Sequence, residues 1–198
     1  MSSEDSWAQI TEAHNKDQWA SLLEACALHL KKNPNHIQAQ IPQAIALRHL
    51  KRFDEAVALL QKTYTDPSAS EQCKYQCQTQ LGETLQEVGR FDDARRAYDE
   101  AYRLLPKNTV AIIYRGVMEL RVGKFSEARQ WFNRALKCSE GDVDEAHFNI
   151  GSTYLCERNY EKAIEHYQVA ITLDPNYDIA WERLADAKRA REIRQQSN

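Results

Sequence analysis

An aromatic residue followed three positions later by alanine returns four times along this chain, as Phe53/Ala56, Phe91/Ala94, Phe125/Ala128 and Tyr160/Ala163. The marker alanines are 38, 34 and 35 residues apart. Self-similarity at that period marks a repeat array, in which one copy cannot bury its apolar face alone and stacked copies share a continuous core. Other positions keep the same spacing. Gly82, Gly116 and Gly151 lie twelve residues before the marker alanine, and Gly89 and Gly123 lie five before it. Ala101, Ala135 and Ala170 lie seven after it, and Pro106 and Pro175 twelve after it. Five of the six glycines therefore obey one period, and the 38-residue interval reads as a 34-residue repeat with about four residues inserted near residues 68–73.

Small residues at fixed positions suit a pair of helices in close contact. Gly151 lets the first helix of its repeat approach the second, and Ala163 lets the second approach back. A larger side chain at Ala163 would overpack that contact, at a cost of about 1–3 kcal/mol. Phe91, Phe125 and Tyr160 are placed to begin the second helix and are expected to fill the gap between repeats. Prolines end it, because proline has no backbone donor with which to continue a helix. Pro42 falls near the start of a first helix, which should begin late or bend there. Arg115 and Glu119 are spaced i, i+4 to pair on one helix face.

The fullest copy, "AHFNIGSTYLCERNYEKAIEHYQVAITLDP" at 146–175, carries Ile150, Gly151, Tyr154, Tyr160, Ala163, Tyr167, Ala170 and Pro175 in order. It resembles the tetratricopeptide repeat, a 34-residue helix–turn–helix family. The resemblance implies an all-α fold: a right-handed α-solenoid of stacked hairpins with a C-terminal capping helix. The whole chain, 1–198, is then expected to form a single array. Its repeats fall at 37–70, 75–108, 109–142 and 144–177. A degenerate copy at 3–36 keeps Trp19 and Pro34 but has Leu22 where alanine is expected. The capping helix covers 178–196 and turns charged, as the wetted face of a terminal repeat must.

In the family, ligands commonly lie in a concave groove lined by the first helices. The resemblance places Val110, Ile113, Val117, Leu120, Phe148, Asn149, Ser152 and Leu155 on that wall, with Glu83 and Glu87 in its acidic middle. An exposed apolar patch of this kind marks an interaction site; neighbouring first helices or the capping helix covering the same residues is the competing expectation. The expected partner is a protein or peptide segment with apolar side chains and a basic flank. One subset of the family grips the carboxylate tail of heat-shock chaperones with lysine, arginine and asparagine. Here the corresponding positions are Ile113, Val117, Asn149, Ile179 and Arg183, or Thr79, Glu83, Tyr114, Glu145 and Asn149, and neither set forms that clamp. Asn149 alone remains a candidate to hydrogen-bond a ligand backbone.

Composition narrows the remaining classes. The 26 basic and 29 acidic residues leave a net charge of −3, without the basic stripe of a nucleic-acid binder. The terminal "KRAREIRQQ" reads as a solvated capping helix. "MSSEDSWAQI" shows no basic segment followed by an apolar core, so no secretory leader is expected. No apolar run approaches the roughly 18 residues of a membrane span. Five cysteines in no disulfide pattern fit a reducing compartment, so the expected location is cytoplasmic. Cys73 and Cys77 lie one helical turn apart with no companion ligand pair, and zinc ordinarily takes four ligands; buried thiols are expected. No two of the six histidines are spaced i, i+4, and His147 sits at a position that commonly carries a packing aromatic. No phosphate loop or nucleophile elbow occurs.

The expected protein is therefore a non-enzymatic binding scaffold with no cofactor. Two alternatives stay open at this point: an assembly protein that self-associates through the apolar wall, and a regulatory repeat subunit of an enzyme or secretion complex. From the capped C-terminus and the full-looking N-terminus, no missing domain is expected.

Overall fold

The computed structural model describes residues 3–138 and 141–196, with side chains from residue 6 onward. The outermost positions of the 1–198 array and positions 139–140 of the fourth repeat lie outside the described residues. The fold is all-α, with eleven α-helices and no strand among the described residues. The helices group into two compact units, Met1–Leu105 and Pro106–Asn198.

The first unit contains α1 (Ser3–Asn15), α2 (Trp19–Lys32), α3 (Gln40–His49), α4 (Phe53–Thr65), α5 (Glu71–Glu87) and α6 (Phe91–Leu104). The second contains α7 (Thr109–Arg121), α8 (Phe125–Ala135), α9 (Val143–Cys156), α10 (Tyr160–Leu173) and α11 (Asp178–Gln196). Phe53, Phe91, Phe125 and Tyr160 each open the second helix of a hairpin. Ala56, Ala94, Ala128 and Ala163 follow one turn later at 0% exposure. No larger side chain fits there without displacing the partner helix.

The turn inside each hairpin repeats its backbone as well. The residue five before the marker position is left-handed in all five hairpins: Asp17 (φ 53°), Lys51 (62°), Gly89 (78°), Gly123 (77°) and Arg158 (57°). Glycine adopts this conformation freely; other residues strain to do so. Four of the five second helices stop ahead of proline. Asn33, Asp66, Leu105 and Asp174 all leave the helical region, as a residue preceding proline must.

The two irregularities expected from the sequence take definite forms. A 3-10 turn at Ile37–Ala39 precedes α3, which therefore begins late and holds Pro42 in its first turn, where a missing donor costs no hydrogen bond. The inserted residues lengthen α5 to 17 residues, against 13 in α7. Ser70 caps its start by accepting from the Cys73 amide at 3.2 Å.

One packing expectation is corrected. Phe91 is 43% exposed, so it is not a buried filler between repeats. Burial in its hairpin is carried instead by Tyr98, at 0% exposure, whose ring lies over Gly82. In the second unit, Ala163, Ile164, Tyr167, Ala170, Ala180, Leu184 and Ala187 form a core into which Phe148, Tyr154, Leu155 and Tyr177 are packed. The face of α11 bearing Ala180, Leu184 and Ala187 is thereby sealed against α10.

Candidate functional site

The wall expected from the sequence draws on α5, α7 and α9. These lie in different compact units, and each is described on its own.

In the second unit α7 and α9 are neighbours, and α11 follows α9. Val110, Val117 and Leu120 on α7 are all half-buried. Ile113 is not part of an exposed wall: it is 1% exposed. An inner helix has α8 on one side and α9 on another, so Ile112, Ile113, Gly116 and Glu119 all turn inward. Arg115 and Glu119 form the expected i, i+4 ion pair, and Lys124 Nζ approaches the second Glu119 oxygen at 3.8 Å.

On α9 the positions 145, 148, 152 and 155 follow one helix face. Phe148 packs against the rings of Tyr167 and Tyr177, at centroid distances of 5.6 and 5.1 Å. Leu155 leans on the α10–α11 core. Both remain half-buried, so the chain's own C-terminal helices cover part of the apolar wall and leave part open. Ser152 donates to the Phe148 carbonyl at 3.0 Å and lies 3.2 Å from the Tyr167 hydroxyl. Asn149 is 7% exposed and donates to the Glu145 carbonyl at 2.9 Å. One of its amide hydrogens thus serves its own helix.

The carboxylates behave oppositely in the two units. In the first, Glu83 and Glu87 are not free charges. Arg48 reaches Glu83 at 3.0 Å and Glu87 at 2.8 Å, and Lys51 reaches Glu87 at 3.3 Å. Burial pushes the Glu87 carboxyl up, but the hydrogen bonds and charges of Arg48 and Lys51 outweigh it and the net shift is downward. A basic ligand there would have to displace Arg48. In the second unit no cation pairs with Glu145 among the described residues, and its carboxyl is raised above the usual range by burial and by Asp142 and Asp144. Glu145 shares the α9 face with Phe148 and Ser152, and nothing in the local sequence pattern marks it as a carboxylate without a cation.

Cys73 and Cys77 are buried free thiols, and burial pushes Cys77 up to about 12. That matches the expectation of packing thiols, because a thiol so raised holds its proton at neutral pH. No group of three or more histidine, cysteine, aspartate or glutamate side chains is arranged to hold a metal among the described residues. No helix there is long and apolar enough to cross a membrane.

Comparison with known proteins bears on all of this. Tetratricopeptide repeat models match residues 79–143 and 144–177, together half of the chain. The chain is 28% identical to human tetratricopeptide repeat protein 6 over 173 residues, 87% of this chain and 31% of that protein. It is also 28% identical to the Hsp70-Hsp90 organizing protein of Triticum aestivum, over 64% of this chain and 22% of that protein. The chain thus spans less than a third of the length of these relatives. Among solved structures, a thermophilic TPR protein of Thermus thermophilus matches with a TM-score of 0.73 at 16% identity, covering 94% of this chain and 98% of that one. The first TPR of Spaghetti (RPAP3), bound to HSP90 peptide SRMEEVD, matches with a TM-score of 0.55 at 22% identity, covering 63% of this chain and 98% of that one.

Proposed function

Because the chain belongs to the tetratricopeptide repeat family, whose members mediate protein–protein interaction, we propose that it is a non-enzymatic scaffold holding a partner segment against the α7–α9 face of its second unit. The segment lays apolar side chains on Val110, Val117, Leu120, Phe148 and Leu155. A lysine or arginine beside them meets Glu145. The unpaired, raised carboxyl of Glu145 is the observation that carries this reading. It is an acid held among other acids, and an incoming cation relieves both its desolvation and its repulsion.

An acidic chaperone tail, as in the solved complex with SRMEEVD, is not the proposed ligand. Of the side chains at the clamp positions, Ile113 is buried, Asn149 bonds to its own helix, and Arg183 pairs with Asp186 at 3.3 Å. These positions present no cationic cluster to a carboxylate.

Panning a random peptide display library against the full chain tests the reading. Peptides with apolar residues and a cation should be enriched. They should be lost on a Val117→Asp/Leu120→Asp variant of unchanged helicity and weakened on Glu145→Gln. Binders that ignore all three substitutions would place the site elsewhere.

A further inference from the structure

His147 on α9 and His166 on α10 face each other across one hairpin and share a hydrogen bond between their Nδ1 atoms, 3.1 Å apart. We propose that this pair is a two-imidazole chelate for a borderline divalent transition metal, zinc foremost, with the remaining coordination positions left to water or to an incoming ligand. Such a chelate is independent of whatever occupies the α7–α9 face.

Zinc–nitrogen bonds of about 2.0–2.1 Å hold two tetrahedral ligands about 3.4 Å apart. The observed spacing is therefore within a few tenths of an ångström of what the ion needs, and a small ring rotation supplies the difference. The ring centroids are 5.3 Å apart, and Tyr154 stacks on His166 at 5.7 Å.

The repeat does not require histidine at either place. The equivalent positions in the preceding hairpin are Ile112, 1% exposed, and Trp131. The residues there are apolar, and two imidazoles stand in their places here. A second histidine pair in the chain differs in kind. His29 Nε2 lies 2.7 Å from His36 Nδ1, but His29 is 0% exposed and its other nitrogen is held by Ser6 at 2.7 Å. His29 is closed to solvent, whereas His147 and His166 are half-buried and within reach of an ion.

The electrostatics permit binding. Zinc takes a neutral imidazole through an unprotonated nitrogen, so the proton shared in the Nδ1–Nδ1 hydrogen bond moves to Nε2 when the ion enters. Lys162 opposes a cation near His166, and Glu165 offsets it. Arg129, over the Tyr154 ring, is neutralised by a two-point pair with Glu157. With two protein ligands, affinity should be moderate and the bound ion open to a further donor.

Calorimetric titration of the full chain with zinc chloride at neutral pH tests this, in a Cys138→Ser/Cys156→Ser background that removes the more accessible thiols. One saturable site is expected, weakened about tenfold or more in both His147→Gln and His166→Gln, with helicity retained. Absence of a saturable site, or undiminished affinity in both variants, would overturn the proposal. Should either variant lose helicity, the imidazole NMR signals of the parent decide the matter. Those of His147 and His166 must move with zinc, and their staying fixed would be equally fatal.

Discussion

Gly116 lies directly beneath the ring of Phe132: a Cβ built on it would stand 2.5 Å from the ring atom Cε1. The same pairing joins Gly82 to Tyr98 and Gly151 to Tyr167, always sixteen residues apart. Tyr98, Phe132 and Tyr167 are each 0% exposed. The glycine is what lets a large ring lie flat between two helices, and the ring is what the glycine is for.

Gly116→Ala should therefore destabilise the chain by about 1–3 kcal/mol, although alanine is intrinsically the better helix former by about 1 kcal/mol. Urea unfolding measures it. Adding Phe132→Leu should recover part of the loss in a double-mutant cycle, because the smaller side chain vacates the contact. Strict additivity of the two changes would refute the pairing.

Gly89 and Gly123 separate backbone strain from crowding. A Cβ at either meets nothing within 4 Å, yet both have positive φ. Alanine there should cost about 1–2 kcal/mol through conformation alone. The converse holds at Asp17, the same turn position with φ 53°. Asp17→Gly should raise the thermal midpoint, in spite of glycine's greater freedom in the unfolded chain.

Arg115 shields Glu119, which is 5% exposed. Arg115→Leu should cost about 3 kcal/mol, since it leaves a buried carboxylate with only the longer approach of Lys124. The double variant Arg115→Leu/Glu119→Leu should recover most of it. Equal losses in the single and double variants would show that the pair is incidental.

Acid should weaken the fold through its histidines. Burial lowers His29, His147 and His166 below the ordinary 6.5. The folded chain then binds fewer protons than the unfolded one, so stability is full above about pH 6.5 and falls as pH drops through the lowered folded values. Thermal melts between neutral and mildly acid pH should show a declining midpoint, flattened in His29→Gln/His166→Gln. A midpoint rising on acidification would reverse the assigned sign.

Much of the hairpin is legible in the sequence, because it rests on short, repeated rules. Ala94, Ala128 and Ala163 announce a buried contact by being small at a fixed spacing. Pro106 and Pro175 announce a stop because proline stops any helix. The left-handed turn is half visible: Gly89 and Gly123 signal it, whereas Lys51 and Arg158 adopt it without a compositional sign. The Arg115–Glu119 pair is legible as well, since its two members share one helix and need no tertiary contact to meet.

The sequence by itself determined the brick: two helices, a left-handed turn, a glycine under a ring, all set by residues within one period of each other. Tertiary structure decided what the bricks expose. Ile113 went inside because α8 and α9 both press on α7, Glu87 had its charge answered by Arg48 from 39 positions away, and His147 found His166 across a hairpin. A local pattern constrains only the neighbours along a helix, whereas burial and charge depend on every helix that arrives from elsewhere.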